Sequence, residues 1–185
     1  ELIVLHNISL PPGRFGGRWI TDLFLNRLDK TAHPYFADIA DNPVSAHALI
    51  CRDGAITQFV PFHERAWHAG KSVYCGRENC NDFSIGIELE GDDVTPFTTA
   101  QYAVLAELIR QLIAAYPKLS AERITGHSDI APGRKTDPGP YFNWRRLAGC
   151  LAASAADGQA SGPDSKLDLG PDSGPDLRPE PLSDS

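Results

Sequence analysis

The chain has 185 residues, 42% of them hydrophobic, which suits one domain with a full core. Its formal net charge is −7, but Asp157 to Asp184 carries seven acids against only Lys166 and Arg178, leaving −2 for the residues before it. A nearly neutral body without a Lys/Arg cluster argues against nucleic acid or an anionic membrane as partner, and no apolar run approaches the roughly 18 residues a bilayer span needs.

Leu2 to His6 is an aliphatic, β-branched run that reads as a buried strand. Pro11, Pro12, Gly13, Gly16 and Gly17 make a loop, and Trp19 to Leu28 places Ile20, Leu23, Phe24 and Leu28 on one helical face. An irregular stretch, His33 to Pro43, follows. Val44 to Cys51 and Ala55 to Val60 flank Arg52-Asp53-Gly54, a hairpin signal. Pro61 to Phe83 has no period and reads as a long, functional loop. Ser84 to Glu90 alternates strictly, with Ile85, Ile87 and Leu89 on one face and Ser84, Gly86, Glu88 and Glu90 on the other. Thr98 with Gln101 forms a capping box, and Tyr102, Leu105, Ile109, Leu112, Ile113 and Tyr116 supply the apolar stripe of a helix stopped by Pro117. Arg123 to Gly126 is one more short strand, and Trp144 to Leu151 a terminal helix.

Strands interleaved with helices predict a single α/β domain over residues 1–151, a mixed central β-sheet flanked by helices and carrying long functional loops. From 152 to 185 Gly-Pro-Asp recurs among Ser and acidic residues with few large apolar ones. Such an acidic tail cannot bury enough surface to offset its chain entropy and is expected to be disordered. Cys51, Cys75, Cys80 and Cys150 show no secreted-scaffold pattern, so reduced thiols and a cytoplasmic location are expected. The chain starts at Glu1 and contains no Met, so its natural start is expected upstream, and the lack of a visible signal peptide weighs little.

The densest chemistry lies in Gly126 to Gly139, where His127, Lys135 and Asp137 share a proline-stiffened loop after a strand. If Lys135 to Asp137 is extended, both side chains point to one side, and His6 at the end of the first strand is a third convergent group. Two imidazoles and one carboxylate suit a catalytic Zn²⁺ ion with one position left for water. Residue types alone equally allow three unrelated positions. Glu88, a carboxylate at the end of an otherwise apolar strand, is expected to carry a proton from the attacking water to a leaving amine. Glu90 is given a solvated or capping role, and Lys135 would stabilise an oxyanion. Trp67 and His68 are pocket candidates, because a flat aromatic can pack on a sugar face. Asn7 could hydrogen-bond a substrate peptide. His47 reads as a packed core residue, and His33 and His63 as loop residues. A closed zinc site of His63, His68, Cys75 and Cys80 is the rival metal reading.

Six stretches carry a resemblance: Leu5 to Gly13, Ala32 to Phe36, Val44 to His47, Arg65 to Gly70, Cys80 to Gly91 and His127 to Gly139. In order and with few gaps, they make the chain similar to AmpD-type N-acetylmuramoyl-L-alanine amidases, a zinc amidase group related to phage lysozyme-type amidases and peptidoglycan recognition proteins. The resemblance implies His6, His127 and Asp137 as ligands of one zinc ion, Glu88 as proton carrier, Lys135 as transition-state stabiliser and Tyr35 as a pocket wall. It implies hydrolysis of the amide between the lactyl group of 1,6-anhydro-N-acetylmuramic acid and L-alanine, in cell-wall recycling. The implied partner is an anhydro-muropeptide or peptidoglycan fragment, and a monomer is expected. An exported amidase acting on polymeric peptidoglycan and a non-catalytic peptidoglycan-binding module are the alternatives.

Overall fold

The computed structural model describes residues 1–157, with side chains as far as Ala153. The stretch from 158 onward, and with it most of the expected disordered tail, lies outside the described residues. Strands β1 (Leu2–Ile8), β2 (Ala48–Ile50), β3 (Ile56–Gln58), β6 (Ser84–Glu90) and β7 (Ile124–Gly126) form one sheet in the order β3-β2-β6-β1-β7, with β6 in the middle. A small separate hairpin, β4 (Val73–Tyr74) with β5 (Arg77–Glu78), sits in the long 61–83 loop. β1 pairs in parallel with β6, and His6 lies directly opposite Glu88. On its other side β1 pairs in parallel with β7, with Leu5 opposite Gly126, so His127 emerges beside His6. β2 adds to β6 in parallel and β3 to β2 antiparallel, which makes the sheet mixed.

The period of two along β1 and β6 divides their side chains between two covered faces. Ile3, Leu5, Ile85, Ile87 and Leu89 pack against Tyr102, Leu105, Ile109 and Leu112 of α3 (Thr99–Ala115) and Leu147 of α5 (Trp144–Asp157). On the opposite face, Leu2 and Val4 meet Ala69, Cys80 and Ile130, while Leu49 joins Ile20, Leu23 and Phe24 of α1 (Trp19–Phe24) and Phe36 of α2 (Pro34–Ile39). Each fully buried large aliphatic or aromatic side chain contributes about 1.5–3 kcal/mol of transfer free energy. α3 opens with the expected capping box: Thr98 Oγ1 accepts the Gln101 N–H, and Gln101 Oε1 accepts the Thr98 N–H, each at 3.1 Å.

Several elements differ from the sequence reading for identifiable reasons. α1 ends at Phe24 rather than Leu28 because Asn26 adopts a left-handed conformation (φ 54°), which asparagine tolerates; Leu28 is buried all the same. The irregular 33–43 stretch contains α2, started by Pro34 at its first position and by the His33 ring accepting the Tyr35 N–H. Histidine is not a usual cap, so the start signal was weak. The segment after β7 folds at once into a four-residue helix, α4 (His127–Ile130). α5 runs to Asp157, six residues past the expected boundary at Leu151, through the alanine-rich 152–156 stretch whose helix propensity is high. Glu90 is not solvated: it is 4% exposed, and its carboxylate accepts backbone N–H groups of Gly16 and Arg52. Both faces of β6 are roofed, so its polar half is buried as fully as its apolar half.

Candidate metal centre

The carboxyl ends of parallel strands are where open α/β sheets place ligands, and a cleft of about 540 Å³ lies there. His6, Glu88, His127 and Asp137 all line it. His6 comes from the second half of β1, Glu88 from the neighbouring position in β6 and His127 from the residue after β7. Asp137 returns to them because Ser128 N–H donates to its carbonyl at 2.8 Å and because Gly126 lets Pro138 close in: a Cβ at 126 would lie 2.8 Å from Pro138 Cδ.

His6 Nδ1, His127 Nδ1 and Asp137 Oδ2 converge within 2.9–3.1 Å of one another. His6 and His127 are 1% and 2% exposed and Asp137 9%. The outer hydrogen bonds assign the ring tautomers. His127 Nε2 lies 3.0 Å from the Ala69 carbonyl, which can only accept, so the proton is on Nε2 and Nδ1 presents a lone pair. Ser84 Oγ–H donates to the Cys80 carbonyl, so Ser84 accepts from His68 Nε2–H at 3.2 Å. His68 Nδ1 then accepts from His6 Nε2–H at 2.9 Å, and His6 Nδ1 is also a bare lone pair.

Two lone pairs and a carboxylate thus face one point, which is repulsive unless a positive charge sits among them. A proton on His6 does not supply it. Burial lowers the His6 pKa to about 4 against the pull of Asp137, with His127 and Lys135 lowering it further, so the ring is neutral at pH 7. The donor set, two nitrogens and one oxygen in a closed triangle, therefore fits a divalent cation. It is the only group of this kind among the described residues. The rival set does not form: Cys75 is exposed and Cys80 is buried in an apolar cluster.

Glu88 is 8% exposed, and its Oε2 has no hydrogen-bond partner. Burial, and then the Asp137 charge, push its pKa well above the ordinary 4.5, with Lys135 pulling the other way. Lys135, Asn7, Tyr35, Trp67 and His68 line the same cleft. Tyr35 and Trp67 present exposed rings, and the Arg65 guanidinium lies 3.7 Å over the Trp67 centroid. Asn7 Nδ2 donates to Asp93 Oδ1 at 2.8 Å, so its amide is held from behind. His47 is buried, donating Nε2–H to the Glu64 carbonyl and accepting Gly86 N–H, as a packed residue does. Sequence reasoning missed Asp93 and Arg134, which also line the cleft; an acidic pair just past a parallel strand was the available signal for Asp93. Nothing in the sequence marked Ser84 as a partner of His68.

Fold and site together define a mixed-sheet α/β protein with a buried, metal-capable His/His/carboxylate centre at its strand ends. Residues 1–140 match the N-acetylmuramoyl-L-alanine amidase family, and the chain belongs to it as an AmpD-type member. It is 63% identical over 146 residues to the 1,6-anhydro-N-acetylmuramyl-L-alanine amidase AmpD of Escherichia coli K12, covering 79% of each chain. A crystal structure of a selenomethionine AmpD derivative matches with a TM-score of 0.79 at 61% identity, over 81% of this chain and 83% of that one. A complex of Escherichia coli AmiD with the substrate anhydro-N-acetylmuramic acid-L-Ala-D-gamma-Glu-L-Lys matches with a TM-score of 0.60 at 32% identity, over 81% of this chain and 56% of that one.

Proposed function

We propose that the chain is a zinc-dependent amidase of cell-wall recycling that releases the L-alanine-led peptide from 1,6-anhydro-N-acetylmuramic acid in cytoplasmic muropeptides. The observation that carries this is the convergence of His6 Nδ1, His127 Nδ1 and Asp137 Oδ2 on one point, with Glu88 beside them in register. The names of the AmpD relatives and the substrate bound in the AmiD complex support the anhydro-muropeptide as substrate. Four free cysteines, one of them exposed, support a reducing compartment. No helix among the described residues is long and apolar enough to cross a membrane.

Held by the two imidazoles and Asp137, zinc would polarise the scissile carbonyl and acidify water. Glu88 supplies the proton transfer. Buried opposite His6 with one oxygen unpartnered, it can take a proton from the attacking water, and the acid so formed can deliver that proton to the departing alanine amine. Lys135, in the same cleft, offers its ammonium to the oxyanion that forms as the carbonyl becomes tetrahedral. Tyr35 and Trp67 provide flat apolar surface for the sugar, and Asn7, braced by Asp93, a donor or acceptor for the peptide. All these groups come from one chain within residues 1–151, so a monomer suffices.

The test is mass spectrometry of the products from an anhydro-muropeptide with and without chelator. Free anhydro sugar and peptide, lost with chelator and restored by zinc, is the expected result. Cleavage unaffected by chelator, or binding without cleavage by zinc-loaded protein, overturns the proposal.

A further inference from the structure

His68 lines the cleft but has no polar atom left for a ligand. Nδ1 faces His6 Nε2 at 2.9 Å and Nε2 faces Ser84 Oγ at 3.2 Å. Its place is built from both sides. Asn81 Oδ1 accepts the backbone N–H groups of His68 and Ala69, at 3.0 and 2.8 Å, which fixes where the side chain starts. The ring lies against Gly86 of β6, where a Cβ would come within 2.3 Å of the imidazole Cγ. A glycine in mid-strand weakens a strand and often marks a close approach; here the approach is the His68 ring.

The relay has a direction because one end is a carbonyl. The Cys80 oxygen must accept, so Ser84 donates to it and receives from His68, and His68 in turn receives from His6. That matters because the His6 proton has two competing positions. On Nδ1 it would pair with Asp137 Oδ2 at 2.9 Å, and the lone pair a cation needs would be gone. On Nε2 it pairs with His68, and Nδ1 is free. We infer that His68 is a positioning residue that holds the His6 proton on the outer nitrogen, and so presents His6 to the metal, through a one-way relay ending on the Cys80 carbonyl. This rests on the zinc reading of the centre. Outer-shell partners of histidine ligands typically affect metal affinity about 10- to 100-fold.

The test uses the full chain, zinc and a competing chelator, with ring ¹⁵N NMR of the metal-free protein. His68→Leu should raise the zinc Kd by about 10- to 100-fold. His68→Asn, whose amide oxygen can stand where Nδ1 stood, should recover most of that loss, which a purely space-filling role would not explain. Ser84→Ala keeps the ring but removes its anchor; it should weaken zinc binding by a smaller factor and turn His68 from a pure Nε2–H form into a mixture. A folded His68→Leu chain binding zinc as tightly as the wild type overturns the relay, as does a His68→Asn chain as weak as His68→Leu. Should the wild type bind no zinc at all, the proposed function fails instead, and the ¹⁵N pattern alone judges the relay: a wild-type His68 protonated on Nδ1 overturns it.

Discussion

Glu88→Gln should leave the metal-free protein more stable while nearly abolishing turnover. The carboxylate is 8% exposed, one of its oxygens has no partner, and it sits opposite His6 in the middle of a parallel pair. A buried polar group left unsatisfied costs about 1–3 kcal/mol, and more when charged. An amide keeps the unpaired polar atom but not the charge, so the replacement should gain about 1.4 kcal/mol for each pK unit by which burial raises the group, with a rise in Tm of about 2–4 °C per kcal/mol for a domain of this size. The sign with pH follows from linkage. Burial raises the folded-state pKa above the ordinary 4.5, so the folded protein holds the proton more tightly than the unfolded chain. The penalty is absent below that ordinary value and grows as pH rises through the folded one. Melts of chelated wild type and Glu88→Gln should thus diverge at pH 8 and converge near pH 4.5. With zinc restored, kcat of the variant should fall by about 100-fold or more. A variant no more stable at pH 8 than the wild type would refute the claim that this carboxylate is held at an energetic cost, and undiminished kcat would refute its role as proton carrier.

Asp137→Ala removes the only charged donor of the centre, so zinc content after dialysis and amidase activity should disappear together. Lys135→Met should keep the zinc and lower kcat by about 10²–10³-fold with KM little changed, read from steady-state kinetics with metal analysis alongside. Leu105→Ala, at a fully buried position where α3 meets the sheet, should cost about 2–5 kcal/mol in denaturant unfolding without altering the zinc stoichiometry of the folded protein.

What could be read in advance was local. The alternation from Ser84 to Glu90, the Thr98/Gln101 box and the stripe of α3 are short-range patterns, and each appears where periodicity put it. The types and order of the donors were visible too, with His127, Lys135 and Asp137 on one loop. Elements shaped by a single backbone choice were less legible: Asn26 turning left-handed cut α1 short, and an unusual His33 cap opened α2.

Convergence was beyond the sequence's own patterns. His6 and Asp137 are 131 residues apart along the chain, and only the pairing of β1 with β6 and β7 brings them together and sets Glu88 opposite His6. Strand register is decided by which faces the whole sheet can bury, not by any one strand, because both neighbours of β1 must satisfy the same ladder. Burial of Glu90 and the ring tautomers follow from what loops lay over the sheet. A linear chain states the chemistry available at each position; the packed molecule determines which lone pairs meet and which protons are forced away from that meeting point.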